Sequence, residues 1–165
     1  MTPTSATPAT PDHITPLMRN HHQKCDQLFA AAEELATRQS WVACAATTGA
    51  LTDALEAHFQ GEETLLFPAF EAATGMRDGP TAMMRHEHNQ IRPLLGMLHD
   101  AVAQRDTAAY ADAANTLLVL LQQHNFKEEN ILYPMCDRNI AELPPLTSAL
   151  AAMLADPTDS TDSHD

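Results

Sequence analysis

The sequence predicts an all-α protein, an up-down-up-down antiparallel four-helix bundle followed by a short fifth helix. Three observations carry that expectation. Only five glycines are spread through 165 residues, and the 11 prolines gather at the two ends and at expected helix boundaries, a distribution that favours long helices. Apolar residues recur at helical spacing along four successive segments. Finally, His58-x-x-x-Glu62-Glu63-x-x-Leu66-Phe67-Pro68 recurs 66 residues later as His124-x-x-x-Glu128-Glu129-x-x-Leu132-Tyr133-Pro134, and the same shift carries His22 onto His88. Two copies of one helical hairpin account for this register.

In chain order, residues 1–12 are Thr/Pro/Ala-rich without periodicity and read as a disordered leader. The bundle is expected over 13–140. Its first helix starts at Thr15-Pro16, a capping hydroxyl before a proline, and runs to about Thr37 with Met18, His22, Cys25, Phe29, Ala32 and Ala36 on its inner stripe. Ser40 can cap the second, which reaches about Ala73 before Gly75 stops it. Its inner face is Cys44, Leu51, Leu55, His58, Glu62, Leu65 and Ala69, and Pro68 is expected to kink it just past His58 and Glu62. Asp78-Gly79-Pro80 opens the third helix, with Met84, His88, Ile91, Leu95 and Leu98 inward, a kink at Pro93 and an end near Gln104. Asp106 caps the fourth, which carries Leu117, Leu121, His124, Glu128, Ile131 and Met135 inward to about Asn139. A fifth helix follows Pro144-Pro145 within 141–155, and 156–165 is an acidic tail expected to be disordered.

The register also sets the geometry. Ser40 lies midway between His22 and His58, and Asp106 midway between His88 and His124. Helices antiparallel about those turns bring each histidine pair level, and two hairpins packed about a pseudo-twofold axis bring four His and two Glu together inside. Residues i and i+4 share a helix face, so each H-x-x-x-E offers two donors. Buried carboxylates without partners are costly, and a pair of metal ions is the simplest compensation.

A single His on an apolar face is more often a hydrogen-bonded core residue than a ligand. The joint occurrence of two copies, matched spacing and matched turns shifts the balance towards metal. The candidate ligands are His22, His58, Glu62, His88, His124 and Glu128; no general acid or base is identifiable. Imidazole and carboxylate without thiolate suit Fe, Mn or Zn, and carboxylates able to bridge favour two metals over a structural zinc. The Glu-x-x-His pairs of ferritin-like di-iron bundles are absent.

These motifs, with His22-x-x-x-Asp26-x-Leu28-Phe29 and Glu87-His88-x-x-Ile91, span about 17–138 and resemble the hemerythrin-like, HHE cation-binding family. The resemblance implies two non-haem irons bridged by an oxygen species and by Glu62 and Glu128, with the four histidines as terminal ligands; manganese or a mixed pair suits the same donors. One departure bears on function. Oxygen carriers of the family have a fifth His where this chain has Met84, and a helix-four Asp one residue later, where Glu129 stands. His86, about 200° round the helix from His88, faces elsewhere. The set is closer to that of di-iron proteins linked to repair of iron centres under nitrosative stress, whose Cys-containing N-terminal domain has no counterpart here.

The expected function is binding or reduction of O2, NO or peroxide in a stress response, with an unidentified electron donor or protein partner. A gas sensor or iron-handling module without turnover is the alternative. Nine Lys and Arg against 22 Asp and Glu give a net charge of −13, which argues against nucleic acid or an anionic membrane as partner. Three cysteines without C-x-x-C suggest a reducing compartment, and without an export signal or an apolar span a cytoplasmic address is expected. His21 maps onto Glu87, so the register prefers His22 as a ligand. Glu63 and Glu129 fit outer partners of ligands, helix–helix pairs or solvated positions, Cys25 and Cys44 fit core packing, and Leu66, Phe67, Leu132 and Tyr133 are expected in the core or at its boundary.

Overall fold

The computed structural model describes residues 10–156; the expected leader and acidic tail fall almost wholly outside them. Helix α1 spans Ile14–Thr37 and α2 Trp41–Gly61; a π-helical turn over Glu62–Leu66 leads directly into α3, Phe67–Thr74. Helix α4 spans Pro80–Gln104 and α5 Thr107–Lys127, and a second π-helical turn over Glu128–Leu132 continues as α6, Tyr133–Asn139. Helix α7, Leu143–Leu154, completes the described chain and carries Pro144 and Pro145 in its first turn rather than before it. Helices α1 and α2 pack as one hairpin and α4 and α5 as the other, with α2 against α4 and α5 against α1 closing the antiparallel bundle. No helix among the described residues is long and apolar enough to cross a membrane.

Both hairpin turns are built alike. Gln39 and Arg105, one repeat apart, take left-handed backbone conformations (φ 59° and 53°). The next N–H groups, of Ser40 and Asp106, reach back to the carbonyls of Leu35 and Ala101, closing the helix ends as a Schellman motif does. Asp106 then caps α5 by accepting from the Ala109 N–H at 3.0 Å, whereas Ser40 occupies the cap position of α2 without a side-chain bond. The start of α1 departs from expectation. His13, not Thr15, is the cap residue, and the exposed N–H groups are satisfied from across the fold. Asp137 accepts from the Ile14 N–H at 2.6 Å, the Thr15 N–H at 3.2 Å and the Thr15 hydroxyl at 2.6 Å.

The π turns replace the expected kink at Pro68. The N–H groups of Phe67 and Tyr133 bond to the carbonyls of Glu62 and Glu128, five residues back. Pro68 and Pro134 follow one residue later, and proline has no N–H and crowds the carbonyl four residues before it; the wider turn accommodates both. One extra residue rotates everything beyond it by about 100°. The buried face therefore continues through Leu66 and Phe70 instead of Leu65 and Ala69, and through Leu132 and Cys136 instead of Ile131 and Met135. Ile131, expected inward, is 52% exposed. Helix α4 runs through Pro93 as a single element.

Two apolar clusters fill the interior. One lies toward the hairpin turns and includes Phe29, Leu51, Leu98 and Leu117; the other lies toward α3, α6 and α7 and includes Met18, Phe67, Phe70 and Leu150. Helix α7 reaches the second cluster over Gly61, where an added Cβ would stand 3.2 Å from Leu150. Between the clusters lies a layer of polar side chains.

Candidate metal centre

That layer is made by one residue from each long helix and one from each π turn: His22 on α1, His58 on α2, His88 on α4, His124 on α5, and Glu62 and Glu128 at the first positions of the π turns. All six are buried, the two carboxylates completely. They form two overlapping groups: Glu62, His88, His124 and Glu128, and His22, His58 and Glu128, with the donor atoms in each within 4.8 Å of one another. Glu128 Oε1 stands 3.2 Å from His22 Nε2 and 3.1 Å from His124 Nε2. Glu62 Oε1 stands 3.2 Å from His88 Nε2 and 3.4 Å from His58 Nε2.

These contacts are short, yet most are not aligned as hydrogen bonds. Glu62 Oε1, Glu128 Oε2, His88 Nε2 and His124 Nε2 are buried without a hydrogen-bond partner. An uncompensated buried polar atom is rare and costly, and four converging on one interior layer are the electronic requirement of a bound cation. Nitrogen and oxygen donors without thiolate suit a first-row divalent or trivalent metal. The residues therefore fit a two-metal site.

Charge is shared unevenly across the layer. Burial and the neighbouring Glu128 charge push Glu62 well above the usual carboxylate range, whereas Glu128, despite burial, is held well below it by His124 and its hydrogen-bonding neighbours. Two carboxylates so close disfavour joint ionisation, and the shifts place the proton preference on Glu62. Burial alone would lower His22, but bonds to Glu128 and Glu129 raise it to about 9. His124, also opposed by burial, is raised by Glu128 and Glu87. Burial lowers His58 to about 3 and, with the charge of His124, His88 to about 4.

Three of the histidines turn their other ring nitrogen toward an outer carboxylate, hydrogen-bonded at His124 but misaligned at His22 and His88, whose Nδ1 atoms have no hydrogen-bond partner. His124 Nδ1 stands 3.0 Å from Glu87, His88 Nδ1 3.5 Å from Glu63, and His22 Nδ1 3.5 Å from Glu129. Every one of these carboxylates is met by a cation: Lys127 on Glu87, Arg92 on Glu63 at 2.8 Å, and Arg19 on Glu129 at 2.9 Å. A carboxylate behind a ligand histidine fixes ring orientation and raises donor strength; Glu63 and Glu129 stand in that place while making the helix–helix pairs also open to them, with Arg92 and Arg19. His58 differs, with His21 Nδ1 2.8 Å from its Nδ1. His21 belongs to neither donor group, and burial and Lys24 lower it to about 4.

One residue at the centre was expected only in the core. The Tyr133 hydroxyl lies 2.9 Å from Glu62 Oε2 and 2.9 Å from Glu128 Oε1, and 3.1 Å from His58 Nε2. Its single proton can be donated to either carboxylate, Glu62 Oε2 and Glu128 Oε1 both lying within reach. The signal lay in the repeat, where Phe67 in one copy is Tyr133 in the other. Burial and both carboxylates push the phenol well above its usual value, keeping it a donor. Met84, at the place of a fifth histidine, is 2% exposed and packs in the second apolar cluster; His86 is exposed. Burial pushes the thiols of Cys25 and Cys136 up to about 12, so neither is a reactive thiolate.

Comparison with known proteins agrees with this geometry. The family described as "Hemerythrin HHE cation binding domain" matches residues 13–136. The chain is 29% identical over 137 residues to "Iron-sulfur cluster repair protein YtfE" of Musicola paradisiaca (strain Ech703), across 73% of this chain and 61% of that protein. The chain thus spans about three fifths of the curated relative's length. No solved structure matches significantly.

Proposed function

The chain belongs to the hemerythrin HHE cation-binding family, and from that premise we propose that it is a non-haem di-iron protein that binds or reduces a small oxidant, O2, NO or peroxide, in oxidative or nitrosative stress rather than in bulk oxygen carriage. The observation that carries this reading is the buried layer of four histidines and two glutamates with unpartnered donor atoms aimed at one another. His22, His58, His88 and His124 would hold the metals through ring nitrogens, and Glu62 and Glu128, set between the histidines, would hold them through carboxylate oxygens. Iron bound there brings redox equivalents and open coordination positions. The protein holds the donors, excludes water with apolar clusters on either side, and keeps the Tyr133 hydroxyl on both carboxylates.

Two features favour reaction over carriage. Buried Met84 offers no fifth nitrogen, which leaves more positions open to exchange, and the relative is named for iron-sulfur cluster repair. That name also supports a second reading, an iron-handling module that passes metal on and turns nothing over. Steady-state assays of the iron-loaded protein with peroxide or NO and a reducing donor separate the two. Sustained turnover supports the oxidoreductase, and stoichiometric reaction alone with every donor supports the handling module.

A further inference from the structure

The outward partners of the four histidines obey the 66-residue register except at one position. Glu63 and Glu129 are repeat counterparts, and they stand beside His88 and His22. Glu87 stands beside His124, and its counterpart is His21, which stands beside His58. Both of these pairs are separated by 37 residues and occupy the same level of their hairpins. One hairpin therefore places a carboxylate where the other places an imidazole.

The substitution changes the charge behind one half of the centre. The Glu62/His88/His124/Glu128 group contains both central carboxylates and is backed by two outer ones, Glu63 and Glu87. Glu62 also stands 3.4 Å from His58 and Glu128 3.2 Å from His22, so both central carboxylates reach the second half too, and the difference lies behind the rings, where the His22/His58 pair is backed by one outer carboxylate, Glu129. A carboxylate accepting the outer N–H makes the inner nitrogen a stronger donor to a cation; a neutral imidazole orients the ring without adding that charge. Lys24, near His21, is paired with Asp156, whose charge acts on His21 against that of Lys24.

We propose that the two metal positions are unequal, that the His22/His58 position is the weaker and exchangeable one, and that His21 is the positioning residue that makes it so. This rests on the two-metal reading of the centre. The reciprocal exchange of residues at equivalent positions tests it. Fully loaded protein is mixed with excess iron chelator, and metal release is followed optically. The native protein releases its two ions in two phases of equal amplitude. His21→Glu slows the fast phase about tenfold or more, in line with the 10–100-fold effect of outer partners on metal affinity, and leaves the slow phase in place. His21→Gln, a neutral acceptor, retains the native rates, and His21→Ala speeds the fast phase. Glu87→His, the converse change, brings the slow phase toward the fast one. Circular dichroism establishes that each variant is folded; should one fail, the two phases of the native protein and the remaining exchange still decide. Release of both ions in a single phase overturns the proposal, as do fast and slow rates indifferent to both exchanges. A native protein that takes up no metal sinks the two-metal reading itself, a different outcome.

Discussion

Replacing Tyr133 by Phe removes one hydroxyl from the centre and nothing else of comparable size. The ring is fully buried, and its repeat counterpart is already a fully buried phenylalanine, Phe67, so the shape is compatible with this layer. What is lost is the bond at 2.9 Å to ionised Glu128 and the contact at 2.9 Å to Glu62. A buried hydrogen bond to a charged group is worth about 1.5–3 kcal/mol. At about 2–4 °C per kcal/mol for a chain of this size, the metal-free variant should melt about 3–12 °C below the metal-free native protein. With metal bound, the carboxylates have cations as partners, and the loss should fall below about 1 kcal/mol. Calorimetry of both proteins, with and without metal, reads the difference. Equal losses in both states, or none in the metal-free state, would refute the idea that Tyr133 and metal satisfy the same carboxylates.

Other predictions follow from the same contacts. Glu128→Ala removes the carboxylate common to both donor groups, so bound metal should drop to one ion per chain or fewer while helical content persists; retention of two ions would remove Glu128 from the ligands. Metal loading near pH 7.5 should release protons, because His22 is held up at about 9 and both His124 and Glu62 are raised, and ligands must be deprotonated to bind. Affinity should accordingly rise with pH until His22 titrates near 9. A pH indicator in weak buffer checks the release, and uptake without acidification contradicts it. Asp137→Ala leaves the first N–H groups of α1 without their acceptor and should cost about 0.5–2 kcal/mol in urea unfolding, the range for a lost helix cap.

Much of this architecture is legible in the sequence because duplication writes it twice. The 66-residue register located both hairpin turns, chose His88 over exposed His86, and paired the six candidate ligands that the structure brings together in one layer. Where it was misleading, a uniform 3.6-residue period had been assumed. Leu65, Ala69, Ile131 and Met135 follow that period, but the π turns begin at Glu62 and Glu128 themselves and rotate the chain beyond them, burying Leu66, Phe70, Leu132 and Cys136 instead. Tyr133 reaches the carboxylates for the same reason, and a helical wheel cannot show it. The cap on α1 was illegible for another cause: Asp137 is 123 residues from Ile14, and only the folded chain brings them together. The role of His21 was half legible, since its register partner Glu87 was known but the partner's contact with His124 was not.

The proposed role of this bundle is to hold two metal ions between its histidines. Iron determination on the purified protein, paired with the same measurement on His58→Ala and His124→Ala, tests it most directly. Two irons per chain in the native protein, and loss of at least one in each variant at unchanged helical content, is the expected result. A folded native protein that takes up no iron or manganese, or variants that keep both ions, would contradict the account.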